Sequence, residues 1–161
     1  MERLTRNLLT LAALASAATA QAQAPPRLNA MTALAIVNGC AAQATGKMQS
    51  HAIAVVDTGG HLVAALRMNG NSSGMMDFAI AKAEAVAAWG FSTADMVQGA
   101  RGTPGFAFAP HVVTVAGGVP IYSADGKILL GAAGASGEAP EDDAACVVAG
   151  ITAAGLRSSR P

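Results

Sequence analysis

The segment from His51 to Met68 constrains the fold most. His51 to Val56 (His-Ala-Ile-Ala-Val-Val) is apolar and largely β-branched, Asp57-Thr58-Gly59-Gly60 is turn chemistry, and His61 to Met68 resumes an apolar run. An aspartate and two glycines between such runs favour a tight reversal, so the segment reads as a β-hairpin and commits the chain to antiparallel pairing. Three further strands are expected at Val112 to Ala116, Val119 to Tyr122 and Lys127 to Ala135. Ala124-Asp125-Gly126 turns between the last two, and Gly117-Gly118 reads as a bulge.

Helical sequence surrounds these runs. Met31 to Lys47 is Ala-rich and ends near Gly46, and Met75 to Ala88 is a second Ala-rich helix. Ser92-Thr93-Ala94-Asp95 opens a short third helix with Ser92 or Thr93 as its cap. Arg101 to Pro110 reads as a loop with hydrophobic contacts. The acidic run Glu138, Glu141, Asp142, Asp143 sits at the positive end of a last helix from about Pro140 to Gly155. The order is that of an α+β domain with helices covering an antiparallel sheet.

The chain has 161 residues. The first 24 have the form of an export signal: Arg3 and Arg6 give a basic start, Leu8 to Ala20 is an apolar run too short to cross a bilayer, and Ala20-Gln21-Ala22 and Ala22-Gln23-Ala24 are small-x-small cleavage sites. Residues 25–161 then form a single domain in the periplasm or outside the cell. Ten basic and ten acidic residues balance, with no basic stripe to neutralise phosphates, which argues against nucleic acid. No later apolar stretch is long enough to span a membrane. Hydrophobic residues make up 52% and charged residues 12%, which leaves little polar surface and implies a homo-oligomer. Export would let Cys40 and Cys146 form a disulfide; equally, each reads as a small buried hydrophobe.

Ile53-Ala54-Val55-Val56-Asp57-x-Gly59-Gly60-His61-Leu62-Val63, Arg67-Met68, Lys82-Ala83, Gly117-Gly118-Val119-Pro120-Ile121 and Gly131-Ala132-x-Gly134-Ala135-Ser136-Gly137, with Asp143 behind, occur in this order. Together they resemble the GlcG/HbpS-like haem-binding family, from about Thr32 to Leu156. Asn69 and Ala85 depart from its pattern, which often has Asp and Thr there. The resemblance implies a profilin-like α+β fold with a five-stranded antiparallel sheet, homo-oligomers that are often octamers, and non-covalent haem binding for scavenging, buffering or sensing. The alternative is an enzyme or accessory protein acting on a small hydroxy- or oxo-acid, or on another flat cofactor such as a corrinoid.

Haem iron needs an imidazole, thiolate, thioether or phenolate, and its macrocycle needs apolar walls. His51, His61 and His111 are the imidazoles; Met68, Met75, Met76 and Tyr122 are secondary choices. His111 follows a loop holding Phe106 and Phe108 and is the leading ligand, with His61 second; the turn position of His61 equally suits a solvated histidine, and His51 reads as structural. The resemblance brings in Thr103 through the loop before Gly-Gly-x-Pro, and Arg67 and Lys82 through Arg-Met and Lys-Ala, as cations for haem propionates. Arg67 could instead pair with Asp57 or Asp143. Lys82 stands alone on an otherwise apolar helix face. The chain contains no Cys-x-x-Cys, Cys-x-x-Cys-His or His-Glu-x-x-His motif, and Gly134-Ala135-Ser136-Gly137 is not the Gly-x-Ser-x-Gly nucleophile elbow.

Overall fold

The computed structural model describes residues 27–161; the expected export signal lies outside them. Helix α1 spans Ala30–Gly46, capped by the Asn29 side chain, which accepts from the Thr32 amide at 2.9 Å. The hairpin follows as β1 (Ala52–Asp57) and β2 (Leu62–Arg67). Helix α2 (Ser73–Trp89) starts at the Ser72 cap and stops at Gly90, whose φ of 79° is the left-handed end expected of glycine. Helix α3 (Thr93–Gly102) takes Ser92 as its cap. A 3-10 turn, Pro104–Phe108, occupies part of the expected loop. Strands β3 (Gly118–Tyr122) and β4 (Leu129–Ser136) lead to α4 (Pro140–Ala153).

The described sheet is antiparallel throughout, in the order β2-β1-β4-β3. It has four strands, not five. Val112–Ala116 is β-branched enough to suggest a strand, but it lies between His111, in the left-handed region at φ 59°, and Gly117 at φ 126°, and it joins no ladder. Gly117-Gly118 is likewise not a bulge: Gly118 opens β3, and the ladder irregularities fall between Val55 and Val56 and between Ile121 and Tyr122. Pro120 lacks an amide proton and sits on the edge strand, where one ladder bond can be spared.

Side-chain alternation divides the core into two layers. Ile53 and Val55 of β1, with Ala133 and Ala135 of β4, pack against Ile36, Val37 and Cys40 of α1 and Cys146, Val147 and Ile151 of α4. The opposite face is built from small residues, Ala52, Ala54, Ala132 and Gly134, and α2 lies close against it. A Cβ on Gly134 would collide with the Ala79 carbonyl oxygen of α2. At the α1–α4 contact, a Cβ on Gly150 would strike the Ile36 carbonyl oxygen, and the Cys40–Cys146 disulfide fastens the same pair of helices. Its Cα–Cα distance is 4.6 Å over a separation of 106 residues, so it constrains a long loop of the unfolded chain.

Candidate functional site

Two clusters of polar side chains lie at opposite ends of the β1–β2 hairpin. The closed one is where β1 begins and β4 ends. Lys82 reaches from α2 over Gly134 and donates from Nζ to the Ala135 carbonyl and to Asp143 Oδ2, both at 2.9 Å. His51 Nδ1 lies 2.9 Å from Asp143 Oδ1, and the Glu138 amide donates to the same oxygen at 3.2 Å. Lys82, Asp143 and His51 are 1%, 2% and 0% exposed. Burial pushes the Asp143 carboxyl up, but the hydrogen bonds from His51 and Lys82, the ammonium charge and the Glu138 amide outweigh it and hold the group below the usual carboxylate range. Because the carboxylate accepts, His51 Nδ1 carries the proton in the neutral ring; Nε2 is buried without a partner.

Gly117 makes room for this cluster. A Cβ there would lie 2.7 Å from Lys82 Nζ and 3.0 Å from Asp143 Cβ, and its φ of 126° is itself poorly suited to other residues. Thr93 Oγ1 accepts from the Gly118 amide at 2.9 Å and ties the glycine pair to α3.

The open cluster is at the hairpin turn. Asp57 Oδ1 accepts from the amides of Gly59 at 2.8 Å and His61 at 3.0 Å, with His61 Nδ1 at 3.2 Å. The backbone hydrogen bond from His61 leads the effects that lower the Asp57 pKa. Beside this turn, Thr58, Gly59, Gly60, Glu84, Ala87, Ala88 and His111 line a cavity of about 290 Å³. The residue before His111 is anchored to an aromatic cluster. Trp89 Nε1 donates to the Pro110 carbonyl at 3.0 Å, and the Trp89 ring meets Phe106 edge-on with centroids 5.1 Å apart.

The sequence candidates therefore separate. His111 lines the cavity; His61 is exposed on the adjoining turn and does not line it. Phe106 is half-buried under Trp89 and Phe91, whereas Phe108 is 89% exposed. Thr103 is exposed after α3, its amide bound to the Gly99 carbonyl at 2.8 Å. Arg67 is at the far end of β2, about 17 Å along the strand from Leu62, and donates to the Asn71 carbonyl rather than to Asp57 or Asp143. The Lys82 ammonium faces Asp143 inside the protein and offers no surface to a propionate or a substrate carboxylate. Sequence reading did not single out Glu84, Ala87, Ala88 or Thr58 as cavity residues, because the cavity exists only where α2, the hairpin turn and the His111 loop meet. Among the described residues, no three His, Cys, Asp or Glu side chains converge on a metal site, and no helix is long and apolar enough to cross a membrane.

Solved structures share this fold. A PduOC–haem complex aligns with a TM-score of 0.74 at 20% identity, covering 84% of this chain and all of that one (100%). HbpS aligns at 0.72 and 20% identity, covering 88% and 97% of the two chains, and a double mutant of HbpS from Streptomyces reticuli at 0.73 and 22%, covering 89% and 97%. Klebsiella pneumoniae protein ORFY aligns at 0.73 and 19%, covering 79% and 90%. No curated protein matches. The model of the family described as haem degrading protein HbpS-like matches residues 28–152, and the chain belongs to that HbpS-like family.

Proposed function

We propose that the protein is an exported haem-binding protein that takes haem non-covalently at the open end of the hairpin, with His111 as the iron ligand, for scavenging, buffering or sensing. The observation that carries this reading is the position of His111: an exposed imidazole on the wall of a cavity that Gly59-Gly60 and Ala87-Ala88 also line, beside Thr58 and Glu84. Small side chains let a flat ring approach the backbone closely, and an imidazole is a common haem ligand. Membership of the HbpS-like family and the likeness to a haem complex support the choice of ligand. At about 290 Å³ the cavity is at the low end for small-molecule sites, so it takes one edge of the macrocycle. The rest lies outside, where a second protomer of a homo-oligomer would cover it. The leader-like first 24 residues and the Cys40–Cys146 disulfide support periplasmic or extracellular placement.

Trp89 is the only tryptophan of the chain and is bonded to the residue before His111. Haemin titration of the processed protein is expected to give saturable, stoichiometric growth of a Soret band with parallel quenching of Trp89. The His111→Ala variant should lose the histidine-ligated spectrum, while His61→Ala keeps it. A linear, non-saturating response, or an unchanged spectrum in His111→Ala, removes His111 from the role.

A further inference from the structure

A second concavity, of about 510 Å³, lies between α3 and the start of α4, away from the hairpin turn. This volume is within the range of small-molecule sites. Its floor is apolar, with Val97 of α3, Val115 of the segment before β3 and Ala144 of α4. Two side chains of opposite charge line it, Arg101 near the end of α3 and Glu141 in the first turn of α4. Arg101 Nη1 donates to Gln98 Oε1 at 3.4 Å, which leaves most of its donors free. Neither Arg101 nor Glu141 forms an ion pair among the described residues, although both face the same groove.

We infer that this groove is a binding site for a small apolar α-amino acid. The chemistry is complementary at each end. A guanidinium fork matches a carboxylate, a carboxylate accepts from an ammonium, and the apolar floor takes an aliphatic side chain. A monoanion alone would meet Glu141 unfavourably, and a monocation alone would meet Arg101; a zwitterion satisfies both. The groove is fixed in shape by the interior behind it: Gly117, next to Ala116 of the lining, is pressed against Lys82 and Asp143, and Asp143 belongs to the same first turn as Glu141.

Calorimetric titration of the full processed protein with L-leucine tests this, beside glycine, 4-methylpentanoate and 3-methylbutylamine. Leucine is expected to bind saturably with a Kd of about 1 mM or below, and glycine, which lacks the apolar body, about tenfold or more weaker. The two single-charge analogues should each lose about tenfold, as should leucine binding to Arg101→Gln and to Glu141→Gln. Both substituted residues are exposed, so the variants keep the fold, checked by an unchanged melting curve. No saturable leucine binding overturns the inference. So does equal binding of 4-methylpentanoate or 3-methylbutylamine, or leucine affinity unchanged in either variant. Haemin binding should be the same in both variants, which separates this site from the His111 cavity.

Discussion

The two ends of the β1–β2 hairpin treat polar side chains in opposite ways. At the Ala52 and Arg67 end, three ionisable groups are withdrawn from water and bond to one another and to the backbone, with His51 Nε2 left without a partner. At the Asp57 and His61 end, His111, Glu84 and Thr58 face a cavity, and their side chains form no hydrogen bond among the described residues. Buried charges that satisfy one another fix how elements meet, here α2, β4 and α4; open groups around a concavity are free for a ligand. The contrast teaches that an isolated charge on an apolar helix, such as Lys82, marks a packing junction as readily as a binding site.

The largest effect that would break this comparison is expected at the closed end. Lys82→Met should destabilise by about 3–5 kcal/mol, because it leaves Asp143 buried without its ammonium, measured by urea unfolding. The double variant Lys82→Met, Asp143→Asn should recover part of that loss, since it removes both charges. A single variant as stable as the parent would mean that the junction is not held by charge. Next in size is the Cys40–Cys146 bridge, whose removal as Cys40→Ala, Cys146→Ala should cost about 2–5 kcal/mol while leaving haemin affinity at the other end unchanged.

Acid should reveal the same junction. Folding lowers the Asp143 pKa, so the unfolded chain binds the proton more readily. The resulting stability is complete above the ordinary aspartate value of about 3.9, and it is lost as pH falls through the lower folded value. Unfolding free energy should therefore drop across that acidic interval, with a shallower drop in the Lys82→Met, Asp143→Asn protein. The smallest stability effect belongs to the open end: His111→Ala, at a positive φ that already carries a Cβ, should stay within about 1 kcal/mol of the parent.

The hairpin could be read from the chain because Asp57, Gly59 and Gly60 encode a reversal locally. The fourfold order of the sheet could not, because Val112–Ala116 has strand composition, and only its flanking backbone at His111 and Gly117 keeps it out of the ladder. Lys82 stood out by its isolation, yet its partner was hidden in a run of four acids. The signal that identifies it is helical spacing: Asp143 shares a face with Cys146, Val147 and Gly150, all buried, whereas Glu141 lies on the exposed side. Glu84 carried no such signal, since its place beside the turn depends on how closely α2 settles on Gly134 and its small neighbours.

The division between a closed, fold-holding end and an open end proposed to hold haem is tested most directly by haemin affinity in His111→Ala, measured beside its unfolding free energy. The proposed role of His111 predicts near-parental stability with the Soret-forming, saturable binding lost. Parental stability with haemin binding intact would contradict it, and would move the haem site away from the hairpin turn.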